Sequence, residues 1–218
     1  IILVMDFSNG ADVMLVKPHI ENLSKLKGKN IATEYTAVGA LMLDGALTAA
    51  DMSVSDVKVV SCLYDNHLNC YRDNDAVITF EPIRTKLLSL GAKQLFDSSM
   101  IPGRIVDVLV IHKETVKNHS QALKDLVDGY FKARQYLVTD PKEASKSMAL
   151  RQNISPDEVL ASFYGVTLPT LEENHNLLNS KSAQLISTAE TLVSHMVKQK
   201  LLRKTIDVNN IINPKFLP

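Results

Sequence analysis

Apolar residues run in short unbroken blocks up to about residue 112 and in helical stripes after it. The blocks at 1–7 (IILVMDF), 12–17, 30–34, 57–63 (VKVVSCL), 75–80 (DAVITF), 92–96 and 105–112 read as strands buried on both faces, where alternation with polar residues is not needed. Between them, 19–26, 37–50, 65–72 and 83–90 read as helices, bounded by Pro18, the turn Lys27-Gly28-Lys29, Pro82 and Gly91. Strands alternating with helices imply mainly parallel sheets with helices on their faces. Beyond 112, helices are expected at 114–138, 141–153, 155–164, 171–179 and 182–202. The first carries a stripe of Leu123, Leu126, Val127, Tyr130, Phe131 and Leu137, the last one of Leu185, Ile186, Ala189, Leu192, Val193, Met196 and Val197. Asp140-Pro141 and Ser155-Pro156 are helix starts with proline at the first helical position. Residues 1–7 form a strand signal with no turn or cap ahead of it, as expected of a chain that begins inside a domain.

Composition narrows the function classes. The chain has 218 residues, 45% hydrophobic and 22% charged, with 24 basic and 24 acidic side chains. Such a chain can bury a core of useful size. The balanced charge gives no footprint for nucleic acid, and no apolar run approaches the ~20 residues that span a bilayer. The six histidines form no metal-like pair, and phosphate-cradling or nucleophile-elbow motifs are missing from the sequence. No metal or cofactor is therefore expected. Cys62 and Cys70 can bridge in an oxidising compartment; the preferred reading is two small, partly buried apolar side chains.

Five segments, in order, resemble the nitrate/sulfonate/taurine-type family of ABC-transporter solute-binding proteins. They are VMDFSNGADVMLVKP (4–18), LSKLKGKNIATEYTAVGALML (23–43), DNDAVITFEP (73–82), FDSSMIPGRIVDVLVIHKE (96–114) and the tail NPKFL (213–217). The sequence departs from the family where a Gly gives way to Asp73 or Asn74 and a Trp to Phe80. The resemblance implies a two-lobed type-2 periplasmic binding protein: one lobe from 20–111, the other from 1–19 and 112–218, with further residues of that lobe expected ahead of Ile1. It implies a small-molecule ligand held between the lobes, a permease as partner, a monomer, and a periplasmic or lipid-anchored extracytoplasmic location.

The candidate ligand-binding residues follow from chemistry and from this resemblance together. Ser8, Asn9, Gly10 and Asp12 lie on a polar turn between two strands; such a turn needs no function, and the resemblance adds a ligand role. Glu34, Tyr35, Thr36 and Val38 lie where a strand ends and a helix begins, the place where open α/β sheets bind ligands and where free N–H groups favour anions. Thr36 is a natural N-cap, which is compatible with either role. Glu34, Glu81 and Asp107 sit in or beside apolar strands, and buried carboxylates need partners. Arg84 or Arg104 could serve; alternatively Glu34 and Glu81 face the cleft and pair with a ligand amine or amidine, which would disfavour a bare oxyanion. Ser98 could reach ligand or be plain loop. A transport binding protein for a nitrogen-bearing or sulfonate-like molecule is the leading reading, and the chain is not expected to be an enzyme. A ligand-sensing domain of a signalling protein, or a thiamine- or menaquinone-pathway enzyme on the same fold, are the alternatives.

Overall fold

A computed structural model describes residues 1–35, 37–179 and 183–218. Strands β1 (Leu3–Ser8), β2 (Val13–Val16), β3 (Asn30–Thr33), β4 (Lys58–Ser61), β5 (Ala76–Thr79), β6 (Lys93–Asp97) and β7 (Val106–Leu109) fall on the seven expected blocks; most are trimmed at their ends, while β1 and β6 each run one residue past theirs. The first helices are α1 (Ala37–Thr48), α2 (His67–Asp73) and α3 (Ile83–Ser89). The segment expected as a helix at 19–26 makes only a 3-10 turn at Leu23–Leu26. A second half of helices follows: α4 (Lys113–Asn118), α5 (Ser120–Thr139), α6 (Pro141–Gln152), α7 (Pro156–Ser162), α8 (Leu171–Leu177) and α9 (Ala183–Lys198), with a short strand β8 (Val166–Thr167) between α7 and α8. The single helix expected at 114–138 is broken at His119, whose backbone (φ −131°, ψ 35°) leaves the helical region. The helix expected over 182–202 ends at Lys198, and residue 182 lies outside the described residues.

Two sheets result, each the floor of one lobe. The larger has the order β4-β3-β5-β2-β6 and the smaller β7-β1-β8. The expectation of mainly parallel sheets holds only for β4-β3-β5; β2 runs antiparallel to both β5 and β6, and the smaller sheet is antiparallel throughout. The reason is the crossing: β1 leaves one sheet and continues directly as β2 in the other, without the helical crossover that a parallel neighbour requires. The sheets also part at other residues than the sequence division. Val13–Val16 is bonded within the larger sheet, and Val106–Leu109 within the smaller.

The larger sheet is covered on both sides, which is why its strands read as unbroken apolar runs. Successive side chains serve opposite faces. Met14, Val16, Ile31, Ala76 and Ile78 pack with Leu41, Met42 and Phe96 on one side. Val13, Leu15, Ala32 and Val77 pack with Tyr71, Ile83 and Leu87 on the other. Cys62 belongs to this second cluster and is joined to Cys70 by a disulfide with Cα atoms 6.5 Å apart. The preferred reading of two unpaired cysteines is thus corrected: the end of β4 and one face of α2 approach closely enough to be bridged, a proximity that sequence spacing does not reveal.

In the smaller sheet, Leu3 packs towards Leu123 and Val127 of α5, and Val4 towards Leu178 and Leu185. The buried Asn174 of α8 accepts from the Val4 N–H (2.9 Å) and donates to the Val4 carbonyl (3.1 Å), so a side chain completes the edge of β1 where β8 does not reach. A bulge at Met5 shifts the register of β1 against β7, and past it Asp6 stands directly opposite Asp107. Bulges re-aim side chains in this way beside functional sites. Among the described residues no helix is long and apolar enough to cross a membrane.

Candidate functional site: an acidic cleft between the sheets

The chain crosses between the sheets at 8–12 and 98–105, and serines tie these crossings together. Ser98, fully buried, shares a 2.7 Å hydrogen bond with the Ser8 hydroxyl and accepts from the Gly10 N–H at 2.7 Å. The Asp12 N–H donates to Ser8 Oγ (3.2 Å), and the Ser98 N–H donates to the Asp12 carbonyl (2.9 Å). Over this knot passes the segment leading into β8. The Asn9 N–H donates to the Gly165 carbonyl, and a Cβ on Gly165 would lie 2.3 Å from the Ala11 nitrogen, so only glycine permits the crossing.

Beside the knot opens a cavity of about 320 Å³. Asp6 and Ser8 come from β1, Ala11 and Asp12 from the first crossing, Glu34 and Val38 from the junction of β3 with α1, and Phe80 and Glu81 from the end of β5. Ile105 comes from the second crossing and Asp107 from β7; Ser162, Tyr164 and Val166 come from the end of α7 and the segment leading into β8. Of the residues expected to bind ligand, Ser8, Asp12, Glu34, Val38, Glu81 and Asp107 line the cavity together. Asn9, Gly10 and Ser98 belong to the supporting knot. Tyr35 points elsewhere, its hydroxyl donating to Gln199 just beyond α9 (3.3 Å). Thr36 lies outside the described residues.

Five carboxylates thus face one cavity. Arg84 stands beside this cavity and is already engaged. Its Nη1 donates to Glu81 Oε1 at 3.1 Å, its Nε donates to Gln94 at 3.2 Å, and its guanidinium stacks on the Tyr164 ring at 4.0 Å. Glu81 also accepts from the Thr85 N–H and hydroxyl. Arg104, the other partner considered for these acids, goes to Asp44 instead, at 3.7 Å. On the aromatic side, Phe80 stacks on Tyr64 with centroids 4.5 Å apart and rings nearly parallel.

Like charges directly opposite in adjacent strands destabilise a sheet, and the Asp6–Asp107 pair does so here. Burial first, then Asp107 and Asp12, push the Asp6 carboxyl up to about 6. Burial and Asp107 likewise raise Asp12, opposed by its hydrogen bond with Ser8. A carboxyl raised on folding costs stability where it is ionised in the folded state: fully above pH 6, not at all below its unfolded value near 4. Two units correspond to about 3 kcal/mol, which solvent screening at this half-buried position cuts to roughly 1 kcal/mol. The ligand-free protein is therefore expected to melt higher at pH 5 than at pH 7, and Asp6→Asn to raise the pH 7 melting point and flatten that dependence. A melting point that falls from pH 7 to pH 5 in the wild type would count against a strained acidic cleft.

Asp6 could have been found in the sequence by the argument applied to Glu34 and Asp107, a charge inside an apolar strand. Tyr164, Ser162 and Val166 carry no such signal. They reach the cleft because Gly165 lets their segment cross the knot.

The same fold occurs in solved proteins. The chain superimposes on the periplasmic aliphatic sulphonate binding protein SsuA of Escherichia coli with a TM-score of 0.78, at 13% identity, covering 97% of this chain and 68% of that one. It superimposes on the alkanesulfonate-binding protein SsuA of Xanthomonas axonopodis pv. citri, bound to MOPS, at 0.69 and 17% identity, covering 97% and 72%. The desulfurization enzyme DSZB shares the fold too, at 0.64 and 16% identity, covering 99% and 77%. At these identities the likeness establishes the two-lobed fold of periplasmic binding proteins. No curated protein sequence matches the chain. Residues 4–144, well over half the chain, match the family model described as NMT1/THI5 like, and the chain belongs to that family.

Proposed function

We propose that this chain forms the ligand-holding lobes of an extracytoplasmic solute-binding protein that captures a small organic cation and presents it, lobes closed, to an ABC permease. The observation that carries the reading is the cleft's charge: Asp6, Asp12 and Asp107 crowd one cavity, with Glu34 and Glu81 on its wall, and the guanidinium of Arg84 beside it is engaged by Glu81. A positively charged, nitrogen-bearing ligand relieves the Asp6–Asp107 repulsion. A sulfonate adds to it, so the ligands in the names of the SsuA proteins do not transfer. An organic cation suits the site better than a metal ion, because among the described residues no three His, Cys, Asp or Glu side chains are grouped to hold one. Lobe closure around the ligand supplies the two states that a permease can distinguish.

A dye-based thermal-shift panel tests this, since the chain has no tryptophan to report binding. At about 100 times Kd a ligand adds roughly 2.7 kcal/mol to the folded state, or about 5–10 °C at this chain length. Organic amines are expected to give such a shift at pH 7.5 and a smaller one at pH 5, where the cleft takes up protons; taurine and other sulfonates are expected to give none. A shift with sulfonates alone reverses the ligand class, and conversion of the bound compound moves the chain to the enzymes of this fold.

A further inference from the structure

Behind the acidic cleft lies a recess of about 40 Å³ that shares Asp12, Glu34, Val38 and Phe80 with it and is closed by Thr33, Gly39, His67, Ile78 and Thr79. Two of its polar atoms, Thr33 Oγ1 and His67 Nε2, are buried and have no hydrogen-bond partner, on residues only 1% and 2% exposed. Buried polar atoms left unpaired cost stability and call for an explanation. Packing holds the recess open. α1 passes so close to the end of β3 that a Cβ on Gly39 would stand 2.1 Å from the Glu34 carbonyl oxygen and 2.5 Å from Thr33 Oγ1.

The chemistry of the recess can be read from the other side of the imidazole. His67 Nδ1 lies 3.0 Å from Thr79 Oγ1, and that hydroxyl donates onward to the Phe80 carbonyl at 3.5 Å. We assign the proton to Nδ1, donating to Thr79, because that hydroxyl turns to the Phe80 carbonyl; this tautomer leaves Nε2 as an acceptor. Burial lowers the His67 pKa and so favours the neutral ring, opposed first by a hydrogen bond to the Cys62 backbone and then by Glu34. The recess therefore offers an acceptor nitrogen and a hydroxyl, with carboxylates at its mouth. It exceeds the ~10–15 Å³ needed for one water-sized group and has no room for a methylated head.

We infer that this recess is a specificity subsite, which seats one small hydrogen-bond-donating head of the ligand, a primary ammonium, amino or hydroxyl group, between His67 Nε2 and Thr33 Oγ1. The inference rests on the cation-binding reading and sharpens it: charge admits the ligand to the cleft, and the recess selects an unsubstituted donor over an alkylated one.

Three primary amines (benzylamine, 2-aminoethanol and 1,4-diaminobutane), each titrated beside its N-trimethylated form, separate the two ideas, because charge is kept while donor and fit are lost. At least one primary amine is expected to bind 10-fold or more tightly than its trimethylated partner. Thr33→Val, which replaces the unpaired hydroxyl by a methyl of the same shape, is expected to erase that preference while raising the melting point of the ligand-free protein. Thr33→Ser is expected to keep the preference. Equal binding of both members in the wild type leaves the cation cleft standing and overturns the subsite, whose occupant is then only water. Survival of the preference in Thr33→Val also overturns it. Failure of all six compounds to bind overturns the cation reading itself, and the subsite with it.

Discussion

Arg84→Ala lowers the stability of the folded protein by about 3 kcal/mol, the low end for breaking a buried ion pair by removing one partner. The side chains of Arg84 and Glu81 are only 15% and 5% exposed, so the Glu81 carboxylate left behind has little access to water. Its bonds from the Thr85 N–H and hydroxyl remain, which keeps the loss from rising further. For a chain of this length the melting point should fall by about 6–12 °C. Glu81→Gln in the same background removes the stranded charge and is expected to recover most of the loss; a double variant no more stable than Arg84→Ala would show that the charge was never the cause. The substitution has a second consequence, because Arg84 also stacks on Tyr164 from the opposite lobe. Each such contact stabilises the closed arrangement by up to ~2 kcal/mol when desolvated. Small-angle scattering of ligand-free Arg84→Ala should therefore report a more open average shape than the wild type.

The two-lobed fold was legible because it depends on local signals. Unbroken apolar blocks such as Val13–Val16 and Ala76–Thr79 mark strands covered on both faces, and those strands form where expected. Strand direction was not legible, because whether β2 lies parallel or antiparallel to β5 depends on how the chain crosses between lobes. The break at His119 and the two-residue β8 were missed for a similar reason: neither has a periodicity long enough to read. In the cleft, Glu34, Glu81 and Asp107 were visible as charges among apolar neighbours, and they do converge. Ser8 and Ser98 were visible as polar residues on turns, but composition cannot tell a side chain that touches ligand from one that ties two crossings together. The wall supplied by Tyr164 is a product of tertiary packing alone.

Replacing both cysteines, Cys62→Ser with Cys70→Ser, is expected to cost about 2–3 kcal/mol, the loop-closure entropy released by opening so short a loop in the unfolded chain. The sequence separation is eight residues. The corresponding fall in melting point is about 5–10 °C. Reductant should bring the wild type down to the same value and leave the double variant unmoved; a wild type indifferent to reductant would mean the bridge contributes nothing to stability. The effect should reach the cleft as well. Between the two cysteines lie Tyr64, stacked under Phe80, and His67, edge-on to Tyr64 at 5.5 Å. Phe80 lines both the cleft and the recess, and His67 lines the recess. The bridge thus holds in register the aromatic wall and the acceptor nitrogen on which selection of the ligand's head is argued to depend. An amine that binds the wild type should bind the double variant more weakly even at temperatures where both are fully folded. Its preference over the trimethylated form should narrow further than overall affinity falls, because the five carboxylates that attract the charge stand on the crossings and strand ends, outside the bridged segment.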